Sequence, residues 1–351
     1  MTMSPHFEEE SMFLRRLFLL ATLCVASPAF AQSTSASAPP VPTPDNVSDL
    51  APVVVSGVQP GPGLWMVSRG DHVLWILGTL SPLPRTMDWR SREVEEVIGQ
   101  SQQILQAPSI KMTAKVGWLG KLMLLPSVYG ARKNEDGRTL QQVLPPSLYA
   151  RWQKLTQQYM PDAHKVERWR PLFAAQELYK KALGAHQLSR GGGISDRIDA
   201  LAKQHGVKTT PVEYTVSIAD PRAAIAAFRQ SAPNDITCLA RTLDAIEQDM
   251  PAMTTRANAW ATGDLDALRS LPDSDRRAAC VAALTNAGFA QKLGLGDVMQ
   301  RLRATWLAAA RAALANNTQT FAVLPMDELL QADGYLAALK AEGYQVDPPA
   351  P

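Results

Sequence analysis

Leu64-Trp65-Met66-Val67-Ser68-Arg69-Gly70-Asp71-His72-Val73-Leu74-Trp75-Ile76-Leu77-Gly78-Thr79 holds two apolar runs around a short polar break with a glycine. That pattern reads as a β-hairpin, Leu64 to Val67 and His72 to Leu77 flanking Ser68-Arg69-Gly70-Asp71, with the second strand ending at Gly78-Thr79. Downstream, a helix is expected with Ser91 as its cap and Val94, Val97 and Ile98 on one side, then a short strand at about 103–107. Helices are expected at about 112–124, 146–159 and 167–184, the last beginning just before Pro171. Gly191-Gly192-Gly193 breaks the chain before a helix at 196–205 and a strand at 207–214. Residues 220–316 read almost wholly as helix, and the chain closes with a strand at 320–324, a helix at 334–342 and a strand at 344–346. The fold class is therefore α/β: a central mixed sheet built from strands of both chain ends, with a large helical insertion.

Ahead of the hairpin, the sequence carries no packing pattern. Arg15-Arg16, the apolar run Leu17 to Val25 and the small-x-small triplet Ala29-Phe30-Ala31 read as a signal peptide over 1–31, and the acidic stretch Glu8 to Glu10 makes Met12 a candidate start. The run is shorter than the ~20 apolar residues that span a bilayer, so no transmembrane anchor is expected after cleavage. Leu23 before Cys24 argues against a lipid anchor. Residues 32–62, rich in Ser, Ala, Pro and Thr, read as a flexible linker to a domain at 63–347. An exported destination, periplasmic or secreted, follows. Cleavage leaves Cys238 and Cys280, an even number in an oxidising compartment, and they are expected to form a structural disulfide.

Of 351 residues 46% are hydrophobic and 19% charged, with a net charge of +2, so a nucleic-acid partner is not expected. Three Cys and five His, with no Cys-x-x-Cys pair, leave little for a Cys- or His-rich zinc site. The glycine run lacks both the P-loop ending and the dinucleotide-binding spacing, so it reads as a loop and helix start. Ser81 follows the strand end but has no elbow glycines to make it a nucleophile. His72, His164, His186 and His205 are scattered and read as surface or packing residues. Glu95-Glu96 and Arg276-Arg277 read as solvated helix faces.

Leu64-Trp65-x-Val67, Gly70-Asp71, Leu77-Gly78-Thr79-Leu80, Trp89-Arg90 and Val94 at one end resemble the TraB/GumN family, related to the Tiki-type membrane proteases. At the other end Trp306, Phe321-Ala322-Val323-Leu324, Gly334 and Gly343-Tyr344-x-Val346 agree with it. The resemblance implies a divalent-metal hydrolase site built from two Gly-x-x-His motifs, each after a strand, and a Glu ending the strand after the first helix. Carried over, the first motif falls on Gly78-Thr79-Leu80-Ser81, with Ser81 in place of its His, and the acidic position falls on Gln106. The second falls on Pro325-Met326-Asp327-Glu328, with Glu328 in place of its His, while Glu213 matches a Glu the family places after its third strand. Serine and glutamine are poor replacements for histidine and carboxylate ligands. The expectation is a divergent member that kept the fold and lost the chemistry, needing no cofactor and binding an envelope peptide, glycan or protein. The alternative is a metal-dependent, peptidase-like hydrolase in which Glu213, Asp327 and Glu328 hold a divalent cation.

Overall fold

β1 (Leu64–Arg69) and β2 (His72–Thr79) form the expected hairpin, in register from Leu64 opposite Leu77 to Arg69 opposite His72. Its turn is only Gly70-Asp71, and Gly70 takes φ +63°, the left-handed region that two-residue hairpin turns require. The structure is a computed structural model that describes residues 61–85, 87, 89, 92–190, 193–229, 235–271, 276–285, 290 and 295–349. The expected signal peptide, all but the last two residues of the linker, Arg90, the Ser91 cap and Gly191-Gly192 lie outside the described residues.

β3 (Leu83–Pro84), β4 (Gln103–Ala114), β5 (Leu188–Ser189), β6 (Lys208–Ile218), β7 (Gln319–Pro325) and β8 (Gln345–Asp347) complete the strands. Six of them form one mixed sheet in the order β6-β4-β7-β2-β1-β8, and β3 pairs with β5 apart from it. β2, β7, β4 and β6 run parallel, so their C-terminal ends share one edge. Thr320 to Leu324 are buried without interruption. Since successive side chains point to opposite faces, both faces of β7 must be covered, which explains why this strand reads as a continuous apolar run.

α1 (Arg92–Gln100) leads into β4. Between β4 and β6 lie α2 (Trp118–Gly130), α3 (Leu140–Val143), α4 (Pro146–Tyr159), α5 (Pro171–Ala185) and α6 (Ile194–His205). After β6 come α7 (Pro221–Arg229), α8 (Asp235–Asp244), α9 (Met253–Ala261), α10 (Leu265–Ser270), α11 (Arg276–Thr285) and α12 (Val298–Asn316), and after β7 come α13 (Met326–Leu329) and α14 (Tyr335–Ala341). Two large apolar cores result, with a small third cluster of Val216, Ala290, Leu295 and Val298 beside the ribbon. One packs β1, β2, β4 and β7 with α1, α9 and α12; the other, around Trp152, Leu172, Leu178 and Leu239, belongs to α3, α4, α5, α8 and α11. The helical insertion is thus a lobe assembled from two separate stretches of chain. Cys238 and Cys280 are joined as expected, tying α8 to α11 inside that lobe. No helix among the described residues is long and apolar enough to cross a membrane.

Several boundaries differ from expectation. The helix expected at 112–124 begins only at Trp118, because β4 continues to Ala114. β4 loses β7 after Leu105, bulges before Pro108, and then pairs with β6 alone as a two-stranded ribbon out to Ala114 opposite Ile218. A bulge is where a strand accommodates proline. The helix expected from 167 starts at Pro171, with Ala163–Arg168 a separate 3-10 segment. The paired charges lie on exposed or half-exposed helix faces, as expected, and also find partners. Glu95 bonds Arg197 of α6, Glu96 bonds Arg92 at 2.6 Å, Arg276 lies 4.1 Å over the Tyr179 ring, and Arg277 pairs with Asp327.

Candidate functional site

The shared edge of the parallel strands brings the two motif stretches side by side: Gly78 lies opposite Leu324 and Thr79 opposite Pro325. Thr79 Oγ1 donates to Leu324 O at 3.3 Å, and Trp260 Nε1 donates to Gly78 O at 2.7 Å, so α9 clamps the end of β2. A Cβ at Gly78 would stand 2.6 Å from Met326 Cε and 3.0 Å from Leu329 Cδ1. Met326 and Leu329 are buried there, so the first motif's glycine makes room for the second motif's own apolar residues. Ser81, at the exposed end, donates from Oγ to Arg190 O at 3.0 Å and fastens the sheet edge to the helical lobe beside the β3–β5 pair.

Across the seam, Asp327 and Glu328 sit in the single turn of α13. Arg277 of α11 bonds Asp327 and lies 3.8 Å from Glu328 Oε1. Burial, and then the neighbouring Asp327 carboxylate, push the Glu328 carboxyl above its ordinary value, with Arg277 and Arg303 offsetting part of the rise. Burial, with Glu328 second, raises the Tyr335 phenol to about 12, so it stays protonated at any physiological pH. Tyr335 packs edge-on against Trp306, with centroids 5.2 Å apart.

Gln106 lies on the same edge, one residue past the last β4–β7 pair, at the bulge of β4. Glu213 lies farther out, opposite Ser109 on the ribbon, where its Oε2 accepts from Lys111 Nζ at 2.9 Å. The structure therefore brings Gly78, Thr79, Ser81, Gln106 and Glu328 to one edge, puts Asp327 beside Glu328, and occupies Glu213 with a lysine. Among the described residues no group of three or more His, Cys, Asp or Glu side chains is placed to hold a metal ion. The donor set does not fit a divalent cation: a hydroxyl engaged with a carbonyl, an uncharged amide, and a carboxylate beside a guanidinium. Among the described histidines, His72 Nδ1 lies 2.7 Å from Asn317 O and His186 Nε2 3.0 Å from Tyr159 OH, both away from this edge.

Arginine is the component that the sequence did not single out. Arg276 and Arg190 both approach the Tyr179 ring, at 4.1 Å and 5.4 Å, and burial followed by the charge of Arg276 lowers the Arg190 pKa. Ser81 meets the Arg190 carbonyl, Arg190 and Arg276 share the Tyr179 ring, and Arg277, next in the chain, meets Asp327 and Glu328. The only sequence trace was the dipeptide Arg276-Arg277, which a helix carries more often on its solvent face.

The model of one family, described as the TraB/PrgY/gumN family, matches residues 63–348. No curated protein and no solved structure matches the chain.

Proposed function

We propose, given that the chain belongs to the TraB/PrgY/gumN family, that it is an exported, non-catalytic binding protein of the cell envelope. Its partner is a peptide, glycan or protein that meets the edge where the family resemblance implies a metal. The observation that carries this reading is Arg277, set against Asp327 and Glu328. A guanidinium there repels a divalent cation and occupies the two carboxylates that would otherwise be its ligands. Met326 over Gly78 and the Ser81–Arg190 bond support it further, since both put motif positions to structural use. Export is supported by the 15–31 pattern and by the Cys238–Cys280 pair, because disulfides persist in oxidising compartments.

Elemental analysis of purified protein, before and after chelation, tests the reading. Sub-stoichiometric divalent metal, unchanged by Glu328→Ala, is the expected result. Stoichiometric metal that survives purification and is lost in Glu328→Ala would overturn it in favour of the metal-dependent hydrolase.

A further inference from the structure

The ribbon that β4 and β6 extend beyond the sheet leads, through residues 115–117, to a helix whose surface is unlike the rest of the molecule. Eleven large apolar residues are exposed among the described residues, and nine fall between Ile110 and Tyr129. Seven belong to α2: Trp118, Leu119, Leu122, Met123, Leu125, Val128 and Tyr129, with Trp118 74% and Met123 67% exposed. At 100° per residue these seven span an arc of roughly 220° of the helix. A helix that docks in a groove or pairs with a single partner shows a stripe nearer 100° wide. The apolar surface continues beside the helix into a cleft of about 460 Å³ lined by Met112, Thr113, Ala114, Val116, Leu124 and Val128.

We propose that α2 is a membrane-surface element, lying in the interface of an anionic lipid bilayer with its apolar arc among the upper acyl chains. A fluid phase wraps so wide an arc without needing a shaped partner. The helix has 13 residues, too few to span a bilayer. Trp118 and Tyr129 stand near its two ends, and these are the side chains that favour the boundary between headgroups and acyl chains. Charge selects the kind of surface. Residues 108–138 hold six Lys or Arg against Glu135 and Asp136. Lys115, Arg132, Lys133 and Arg138 are exposed around α2, and Arg222 and Arg229 are exposed on α7, the helix packed against it. Such residues near a negatively charged leaflet each strengthen attachment. The same charges oppose a second copy of this chain, because a self-pair would face like with like. The proposal concerns a different surface from the shared strand edge around Ser81 and Glu328 and does not depend on what binds there.

Vesicles carrying phosphatidylglycerol with bromine on the acyl chains provide the test, using the full chain. Tryptophan emission is expected to be quenched on binding, with a component that disappears in Trp118→Phe. Leu122→Asp with Met123→Asp is expected to weaken vesicle affinity about tenfold or more, the cost of losing two buried apolar side chains. Phosphatidylcholine vesicles are expected to bind more weakly. Quenching that is unchanged in Trp118→Phe would mean the bilayer is reached through another segment, such as residues 17–25, and would overturn the proposal. It would also be overturned by an absence of vesicle binding, or by a soluble dimer that Leu122→Asp with Met123→Asp dissociates. Because the quenching comparison needs only the native chain and a conservative change at an exposed residue, it does not rely on the double variant folding.

Discussion

Glu328 shows how one position can hold the shape of a site while carrying different chemistry. Its carboxyl stands where the family resemblance implies an imidazole, half-sheltered at the end of β7, with Asp327 adding negative charge and Arg277 and Arg303 taking some away. Burial is the largest of these effects and raises the carboxyl above its ordinary 4.5. The folded state then holds this proton more tightly than the unfolded state does. The corresponding stability is fully present below pH 4.5 and is lost as pH rises through the folded value. Glu328→Gln keeps the shape of the protonated form and removes the titration. Urea melts are therefore expected to show the variant gaining on the native chain between pH 4.5 and 7, with the two converging below 4.5. A native chain that instead gains relative to the variant as pH rises would mean that Arg277 outweighs burial. At this scale the sequence was only half legible. Aligning the motifs marked Ser81, Gln106 and Glu328 as departures, but no local pattern revealed that Arg277, fifty residues away, would meet Asp327 and Glu328. Long-range pairing of surface-type residues leaves no periodicity to read.

Elements were legible wherever burial follows a simple pattern, on one face of a strand or on both. The β1–β2 hairpin announces itself through its apolar runs and Gly70, and β7 through an unbroken apolar stretch. The ribbon portion of β4 was not legible, because residues 108–114 pair on one side only and include exposed Ile110 and Met112, so alternation no longer reports burial. The joint between α5 and α8 was equally silent. Arg170 and Asp235, 2% and 0% exposed, meet through two hydrogen bonds of 2.8 and 3.0 Å. Arg170 also donates to Phe228 O at 2.5 Å and lies over the Phe228 ring. Burial raises the Asp235 pKa, with Arg170 opposing it. Removing one partner strands the other, so Arg170→Met is expected to cost about 3–5 kcal/mol. Combining it with Asp235→Leu should recover most of that loss, because the uncompensated buried charge is gone. Denaturant melts of both single variants and the double variant form the cycle that measures this, and additive losses would refute the coupling.

On the scale of the whole molecule, the chain interleaves two cores. The sheet core is assembled from both ends of the domain, and the lobe from two stretches between them, with β3–β5, the Ser81–Arg190 bond and Arg277 against Asp327 among the ties across. The α/β class and the helical insertion could be read from element order, whereas the lobe's two-part assembly could not, since helices in sequence carry no label for the core they join. This layout determines where the disulfide acts. Cys238 and Cys280 are 42 residues apart and both buried, so closing that loop restrains the unfolded lobe by about 4 kcal/mol in the chain-entropy account. The bridge encloses α9 and α10, which pack on the sheet core, but its own cysteines lie in the lobe core. Cys238→Ala with Cys280→Ala is therefore expected to loosen the lobe selectively. Hydrogen exchange should quicken in 140–185 and 235–250, while β2, β4 and β7 keep their protection, and calorimetry should resolve a lobe transition below that of the sheet. If exchange quickens equally in the sheet, the two cores unfold as one cooperative unit and the crossing ties couple them tightly.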